Sequence, residues 1–383
     1  MKITKVAGYG VHPGWRKNLV FVKVETDAGI HGWGEAYSQY DRDQPVLAQI
    51  NALGPYLVGR TPFDIKHFTQ FAFDDYAARR GSLELFCAIS GIEQALWDIV
   101  GKALEQPVYN LLGGRVRDRI RVYANGWSYG MKEPADYARA AEQVVAAGFD
   151  AMKFDPLPSP WRSYIPKEHE NRAVAVVKAV RDAVGPKVDL LIEQHRRLAP
   201  MHAIRLDLRL KELDLYWLEE PCAAENAEAL AEIRQATGLP IVIGEATYLK
   251  QGFRPLFERR AADIINPDVA CVGGILELKE IAAMAEPYFI AVSPHNYNST
   301  VLGLASTVHA SATMPNFIIT EYFLPFVEFG DKVSPNQLKP RNGYIDLPTA
   351  PGLGVDIDEK ALAEHPAKVY TARKLRMPSD EGP

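Results

Sequence analysis

Glu193, Glu219 and Glu245 stand 26 residues apart in this sequence; Asp268 follows after 23, His295 after 27 and Glu321 after 26. Each lies at the end of a short apolar run, in DLLIEQ, LYWLEEP, PIVIGEA, DIINPDVAC, FIAVSPHN and NFIITEY. Any one of these acids alone reads as a solvated strand end. Three in register, followed by Asp and His in the same register, read as one site. Carboxylates sharing a partly desolvated place push up one another's pKa and need a counter-charge. A divalent cation supplies it, and all-oxygen donors with no cysteine nearby favour Mg2+ over zinc. Asp268 and His295 end neighbouring runs, so the carboxylate can orient the ring and raise its basicity, which suits a general base. Of the nine histidines only His195 shares such a position; it comes from the other side of the metal and suits a general acid. Glu321, if held protonated, could hydrogen-bond a substrate carboxylate. Removal of a proton α to a carboxylate uses such a set. The metal lowers the cost of the enolate by several kcal/mol, and a positioned acid or base adds about 10²–10⁴ each.

The elements that must hold these residues start near Arg119. Eight strand-like runs, beginning with RIRVYANGW and AMKFD, are mostly separated by helix-length segments such as NRAVAVVKAVRDAV and NAEALAEIRQATG. Alternation in this number predicts an α/β barrel of the TIM type, with every run ending at the C-terminal mouth. An open doubly wound sheet would want a GxGxxG after its first strand, and there is none. The long connection 155–172 follows the second run and belongs to the same face. Ahead of the barrel, residues 1–37 alternate apolar and polar around the turn signal Thr26-Asp27-Ala28-Gly29. Residues 85–104 then carry an uninterrupted helical period, closed by Gly113-Gly114.

Length and composition agree with such an enzyme. The chain has 383 residues, is 47% hydrophobic and carries a net charge of −5, so no basic face invites nucleic acid or an anionic membrane. Cys87, Cys222 and Cys271 fit neither a disulfide framework nor a metal-ligand spacing. No run of 18 apolar residues occurs, and the start MKITKVAGYGVHPGW reads as a strand instead of a signal peptide. The expected location is the cytoplasm.

Taken together, E-x-H at 193–195, LEEP at 218–221, GE at 244–245, NPD at 266–268, PH at 294–295, TE at 320–321 and the PGLG tail resemble the enolase superfamily, mandelate racemase subgroup. The resemblance runs over essentially the whole chain. It implies a modified (β/α)7β barrel over 119–339 and an N-terminal α+β capping domain over 1–118, completed by the tail 340–383. It also implies Mg2+ on Glu193, Glu219 and Glu245, an Asp268–His295 base, Glu321 on the substrate carboxylate, and a homo-oligomer. Racemase-like members resemble one another in a K-x-K here replaced by Lys153-Phe154-Asp155. That leaves Lys153 to neutralise the substrate carboxylate and Asp155 to bind a hydroxyl. His195 resembles the acid of the galactonate dehydratase type. The implied function is an acid-sugar dehydratase that forms a 2-keto-3-deoxy acid. An epimerase, racemase or cycloisomerase on the same scaffold is an alternative. Outside that class stand a glycoside hydrolase barrel, which needs only two carboxylates, and a non-catalytic sugar-acid binder. Two departures stand out: Glu193 replaces the usual Asp, and the usual H-G-R becomes His195-Arg196-Arg197. For the distal part of the substrate the candidates are His12, Trp15 and Arg16 in the early loop and Arg79 and Arg80 in the next.

Overall fold

The computed structural model describes residues 1–297 and 299–381. Strands β1 (Ile3–Val11), β2 (Leu19–Thr26) and β3 (His31–Ala36) form an antiparallel meander, with the expected turn after Thr26. The helix Leu83–Ala103 lies against this sheet, begun by the Ser82 side chain accepting from the Leu85 N–H. The contact is closer than side chains would allow: a Cβ on Gly34 would stand 2.0 Å from the Gly91 carbonyl oxygen, and one on Gly32 2.1 Å from that of Ala95. Glycine at both positions lets helix and sheet backbones meet.

The barrel follows the eight expected runs: β4 (Arg119–Asn125), β5 (Ala151–Phe154), β6 (Asp189–Glu193), β7 (Trp217–Glu219), β8 (Ile241–Ile243), β9 (Ile264–Ile265), β10 (Ala291–Val292) and β11 (Thr320–Phe323). They pair in parallel in chain order, β11 returns beside β4, and a bridge from Val292 to Phe317 joins the two ends of the sheet. Tyr123, Ala151, Leu191, Trp217, Val242, Ile264 and Ile319 form one buried cluster contributed by seven strand segments. The strand period of two then places Asn125, Lys153, Glu193, Glu219 and Glu321 one step further along the same face as their apolar neighbours. A filled apolar layer thus becomes the floor of a polar one.

The tail divides its contacts. A twelfth strand, β12 (Tyr344–Asp346), pairs antiparallel with β4 and so extends the barrel sheet. Further along, the tail also meets the N-terminal sheet, through a Val11–Pro366 bridge and a hydrogen bond from Asn18 Nδ2 to the Lys368 carbonyl (2.8 Å), and its end bonds Trp161 and Arg162 of the connection after β5.

Three buried acids fasten the N-terminal unit to its neighbours. Glu35 accepts from the N–H groups of Thr300 and Gly303 (3.0 Å each) at the start of the helix Val301–Ala312. Glu93 accepts from Ile275 and Leu276 (2.7 and 3.0 Å) at the start of the helix Ile275–Ala285. Asp98 takes the N–H groups of Trp33 and Leu353 (3.0 and 2.9 Å). Helix N-termini expose unpaired N–H groups and the positive end of the dipole, so a carboxylate is a fitting partner. Since those helices follow barrel strands, their N-termini face the mouth, and the N-terminal unit sits over it. Among the described residues, all three cysteines are free and buried, and no helix is long and apolar enough to cross a membrane.

Candidate active site

A cavity of about 750 Å³ opens at the barrel mouth beneath the N-terminal unit. Its inner wall holds Lys153, Asp155, Glu193, His195, Arg196, Glu245 and His295; Trp15, Arg16, Lys17, Tyr37 and Tyr40 come from the N-terminal unit, and Ser159 and Trp161 from the long connection after β5.

Glu193 and Glu219 are direct register partners on β6 and β7, and Glu245 follows β8. One carboxylate oxygen from each of the three lies within 4.8 Å of the others. Glycine is required just before Glu245. Gly244 has φ +140°, and a Cβ there would stand 2.7 Å from the Phe253 ring. After β6 the chain turns through His195 and Arg196, both in the left-handed region (φ 52° and 60°), as is Glu220 after β7 (φ 47°). Non-glycine residues adopt that region at a cost, and they concentrate where function fixes a side chain.

The acids crowd each other. Burial, and then mutual repulsion, push Glu193, Glu219 and Glu220 up from the usual carboxylate range, with Lys153 and Arg196 opposing. Glu245 goes the other way: burial would raise it, but His295 and Arg196 hold it well below the usual range. Lys153 Nζ is 2.5 Å from Glu219, 3.5 Å from Glu193 and 3.8 Å from Glu321. Glu219 also accepts from Trp217 Nε1 (3.1 Å) and Asn266 Nδ2 (2.9 Å). Arg196 bridges Glu220 and Glu245. Three hard oxygen donors, two buried and one partly so, and mutually repelling, are a donor set that can hold a divalent metal.

Two histidines flank this cluster, each backed by an aspartate. His295 Nδ1 is 2.7 Å from Asp268 Oδ2, and its Nε2 is 3.0 Å from Glu245 and 3.6 Å from Glu321. Burial would lower its pKa, yet these carboxylates hold it well above the usual imidazole range. His195 Nδ1 is 2.8 Å from Asp155 Oδ2, and its ring packs on Trp161 with centroids 4.9 Å apart. β6 and β10 are four steps apart in the ring of eight, so the two histidines approach from opposite sides.

Of the other expected site residues, Asp155 and Glu321 already carry protein partners, and His12, Arg79 and Arg80 lie off the cavity wall. Asp155, expected to bind a substrate hydroxyl, already has both oxygens engaged: Oδ2 with His195, Oδ1 with Arg197 and the Leu157 N–H (2.9 Å). Burial would raise its pKa, but His195 and Arg197 bring it below the usual range. Glu321, expected on the substrate carboxylate, is fully buried behind the cavity wall; Asn125 holds one oxygen and the Asn296 N–H (3.1 Å) the other. His12 is not on the wall. Its N–H bonds the His365 carbonyl (3.0 Å) and its Nδ1 faces Tyr370 Oη (3.1 Å), because the tail folds over the end of β1. Arg79 is outside too, paired with Asp74 at the surface (2.9 Å), and Arg80 is exposed. Trp15 does line the cavity, edge-on to Tyr129 at 4.7 Å. Sequence reasoning missed Glu220, although it adjoins Glu219 in LEEP. It also had no signal for Lys17, Tyr40 or Arg373, which enter only through tertiary folding.

A parallel barrel whose mouth gathers three acids and an Asp–His pair beneath an N-terminal cap defines a barrel enzyme of the enolase type. The chain belongs to the mandelate racemase/muconate lactonizing enzyme family of that superfamily. Residues 9–113 match the model "Mandelate racemase / muconate lactonizing enzyme, N-terminal domain", and residues 136–361 match "Enolase C-terminal domain-like". A D-galactonate dehydratase of Variovorax paradoxus is 36% identical over 368 residues, 94% of each chain. A D-xylonate dehydratase of Haloferax volcanii is 35% identical, over 90% of this chain and 85% of its own. A solved enolase-superfamily member from Salmonella Typhimurium superposes with a TM-score of 0.90 at 30% identity, over 95% of this chain and 98% of its own.

Proposed function

We propose that the protein is a Mg2+-dependent acid-sugar dehydratase, which removes the proton α to a carboxylate and expels the β-hydroxyl as water to leave a 2-keto-3-deoxy acid. The observation that carries this reading is the pair of aspartate-backed histidines on opposite sides of one acidic cluster. The relatives named as dehydratases of sugar acids support the substrate class.

In this reading His295 takes the α-proton on Nε2, while Asp268 fixes Nδ1–H and stabilises the imidazolium that forms. A base must start neutral, so the charge of Glu245 has to be shared with something other than His295. A divalent cation held by Glu193, Glu219 and Glu245 would supply positive charge beside the substrate carboxylate, where negative charge builds on deprotonation. Lys153, buried among the same acids, adds a fixed positive charge there. Burial would lower its pKa, but Glu219 and Glu321 keep it protonated. His195 donates its proton to the departing hydroxyl, and Asp155 holds the ring for that transfer. Glu321 steadies Lys153 and His295 from behind. The C–H and C–O bonds that break lie on adjacent carbons, which is why acid and base come from different strands.

The test is to incubate aldonic and aldaric acids with enzyme and Mg2+ and assay 2-keto acids. The reading predicts keto acid from at least one sugar acid, and its loss on chelation. No keto acid from any member would overturn it. One observation favours a second reading. Two opposed Asp–His pairs can also take and return a proton on opposite faces, as an epimerase does; deuterated epimer without keto acid, in D2O, would select it.

A further inference from the structure

Another stretch of the cavity wall, contributed by the early loop and the tail, has the opposite electrostatic problem. Arg16 sits inside a cage of aromatic rings, its guanidinium carbon 5.5 Å from the centroid of Trp15, 5.1 Å from Tyr40, 5.7 Å from Tyr129 and 5.5 Å from Tyr297. Its Nε and Nη2 donate to Tyr40 Oη (3.1 and 2.5 Å); among the described residues Nη1 has no hydrogen bond and Arg16 no acidic partner. A second guanidinium, that of Arg373 from the C-terminal tail, lies 4.8 Å from the same Tyr40 ring. Among the described residues its carboxylate partner is Asp41, at 3.2 Å; the Arg373 side chain is 50% exposed and that of Asp41 30%. Both arginines and Tyr40 line the cavity.

Aromatic faces attract a cation, but they do not use the in-plane N–H donors of a guanidinium. Arg16 is partly withdrawn from water with no acid beside it among the described residues, and half-exposed Arg373 adds a second positive charge at the same ring; a neutral hydroxyl would leave the Arg16 charge unanswered. A carboxylate would balance it and match the planar fork with paired hydrogen bonds. We infer that Arg16 and Arg373 form a subsite for a second, distal carboxylate, so that the substrate is a sugar dicarboxylate (an aldaric acid). This rests on the dehydratase reading and extends it. One carboxylate goes to Lys153 and the metal site, the other to the aromatic cage. The Variovorax and Haloferax relatives are named for monocarboxylates, so this chain departs from them at the distal end.

The test compares aldonic and aldaric acids of matched configuration, galactonate with galactarate and gluconate with glucarate, in wild type, Arg16→Met, Arg373→Met and Arg16→Lys, each checked by melting curve. Wild type should favour one diacid over its monoacid by at least about tenfold in kcat/KM. Arg16→Met should lower that ratio at least about tenfold, mostly through KM; Arg373→Met should lower it less, and Arg16→Lys should recover part of it. A wild-type ratio near or below one, or an equal proportional loss for both acids in a normally melting Arg16→Met, would overturn the subsite. If no acid gives keto product, the dehydratase reading fails, and the subsite is then judged by melting with Mg2+ and each acid. A larger shift from the diacid that Arg16→Met removes would support it, and no such difference would overturn it.

Discussion

The protein buries carboxylates in two regions, and they behave differently. At the seam between N-terminal unit and barrel, Glu35 and Glu93 are fully buried, and burial pushes each up to about 7. Each nevertheless meets backbone N–H groups at the start of one helix, and the donors are fixed by the fold. At the mouth, Glu193, Glu219 and Glu220 are buried as well and Glu245 is partly buried, but their main partners are the cationic side chains Lys153, Arg196 and His295 and one another. Burial alone therefore does not mark a functional acid. What marks it is a surplus of negative charge that the backbone leaves unanswered.

That contrast can be broken by exchanging one acid from each region for its amide. Glu219→Gln should lower kcat/KM about 10³-fold or more by weakening the metal site, while its metal-free melting temperature stays within about 3 °C of wild type. Retained activity would remove the mouth from the account. Next in size is metal-linked stability. Mg2+ at about 100 times its Kd should stabilise wild type by about 2.7 kcal/mol, seen as a melting shift that chelator reverses. Glu219→Gln should lose the shift, whereas Glu93→Gln should keep it. Glu93→Gln should itself cost about 1–3 kcal/mol of stability, read by denaturant unfolding, because the N-terminus of one barrel helix loses its anionic partner. Equal metal-linked shifts in both variants would erase the distinction between the regions.

Asp207 sharpens the comparison as a third case. It is fully buried in the helix Pro200–Leu210 with one side-chain donor, Gln194 Nε2 at 2.7 Å, and burial pushes it up to about 8. The unfolded chain gives up this proton near pH 4 and the folded chain only near pH 8. The folded state therefore holds one extra proton between them. Its contribution is complete below about pH 4, is lost as pH rises, and levels off above about pH 8, with a slope of at most about 1.4 kcal/mol per pH unit. Asp207→Asn should flatten the stability profile between pH 5 and 8. An unchanged slope would show that Asp207 ionises normally.

The sequence made the mouth legible because strand ends recur with the βα period, and a period survives even when a strand shrinks to two residues, as β9 and β10 do. The helix expected over 85–104 appears over Leu83–Ala103 for a similar reason, since its apolar face repeats. What stayed hidden depends on contacts between distant segments. Nothing near His12 says that residues 365–370 will cover it, and nothing in Lys153-Phe154-Asp155 says that Asp155 will turn to His195. Glu35 and Glu93 gave no sign either, because their partners are backbone groups, which any sequence supplies. The tail was expected to complete the N-terminal unit; that its β12 also pairs with β4 gave no sign, because three residues are too few for alternation to announce a strand.

The division of labour between the two histidines is tested most directly by exchange of the substrate α-proton in D2O, with metal occupancy verified in each variant. The account predicts that His295→Asn abolishes both dehydration and exchange. His195→Asn should stop dehydration yet still exchange the α-proton, because base and metal site remain. Exchange that survives in His295→Asn but is lost in His195→Asn, with metal bound in both, would contradict it.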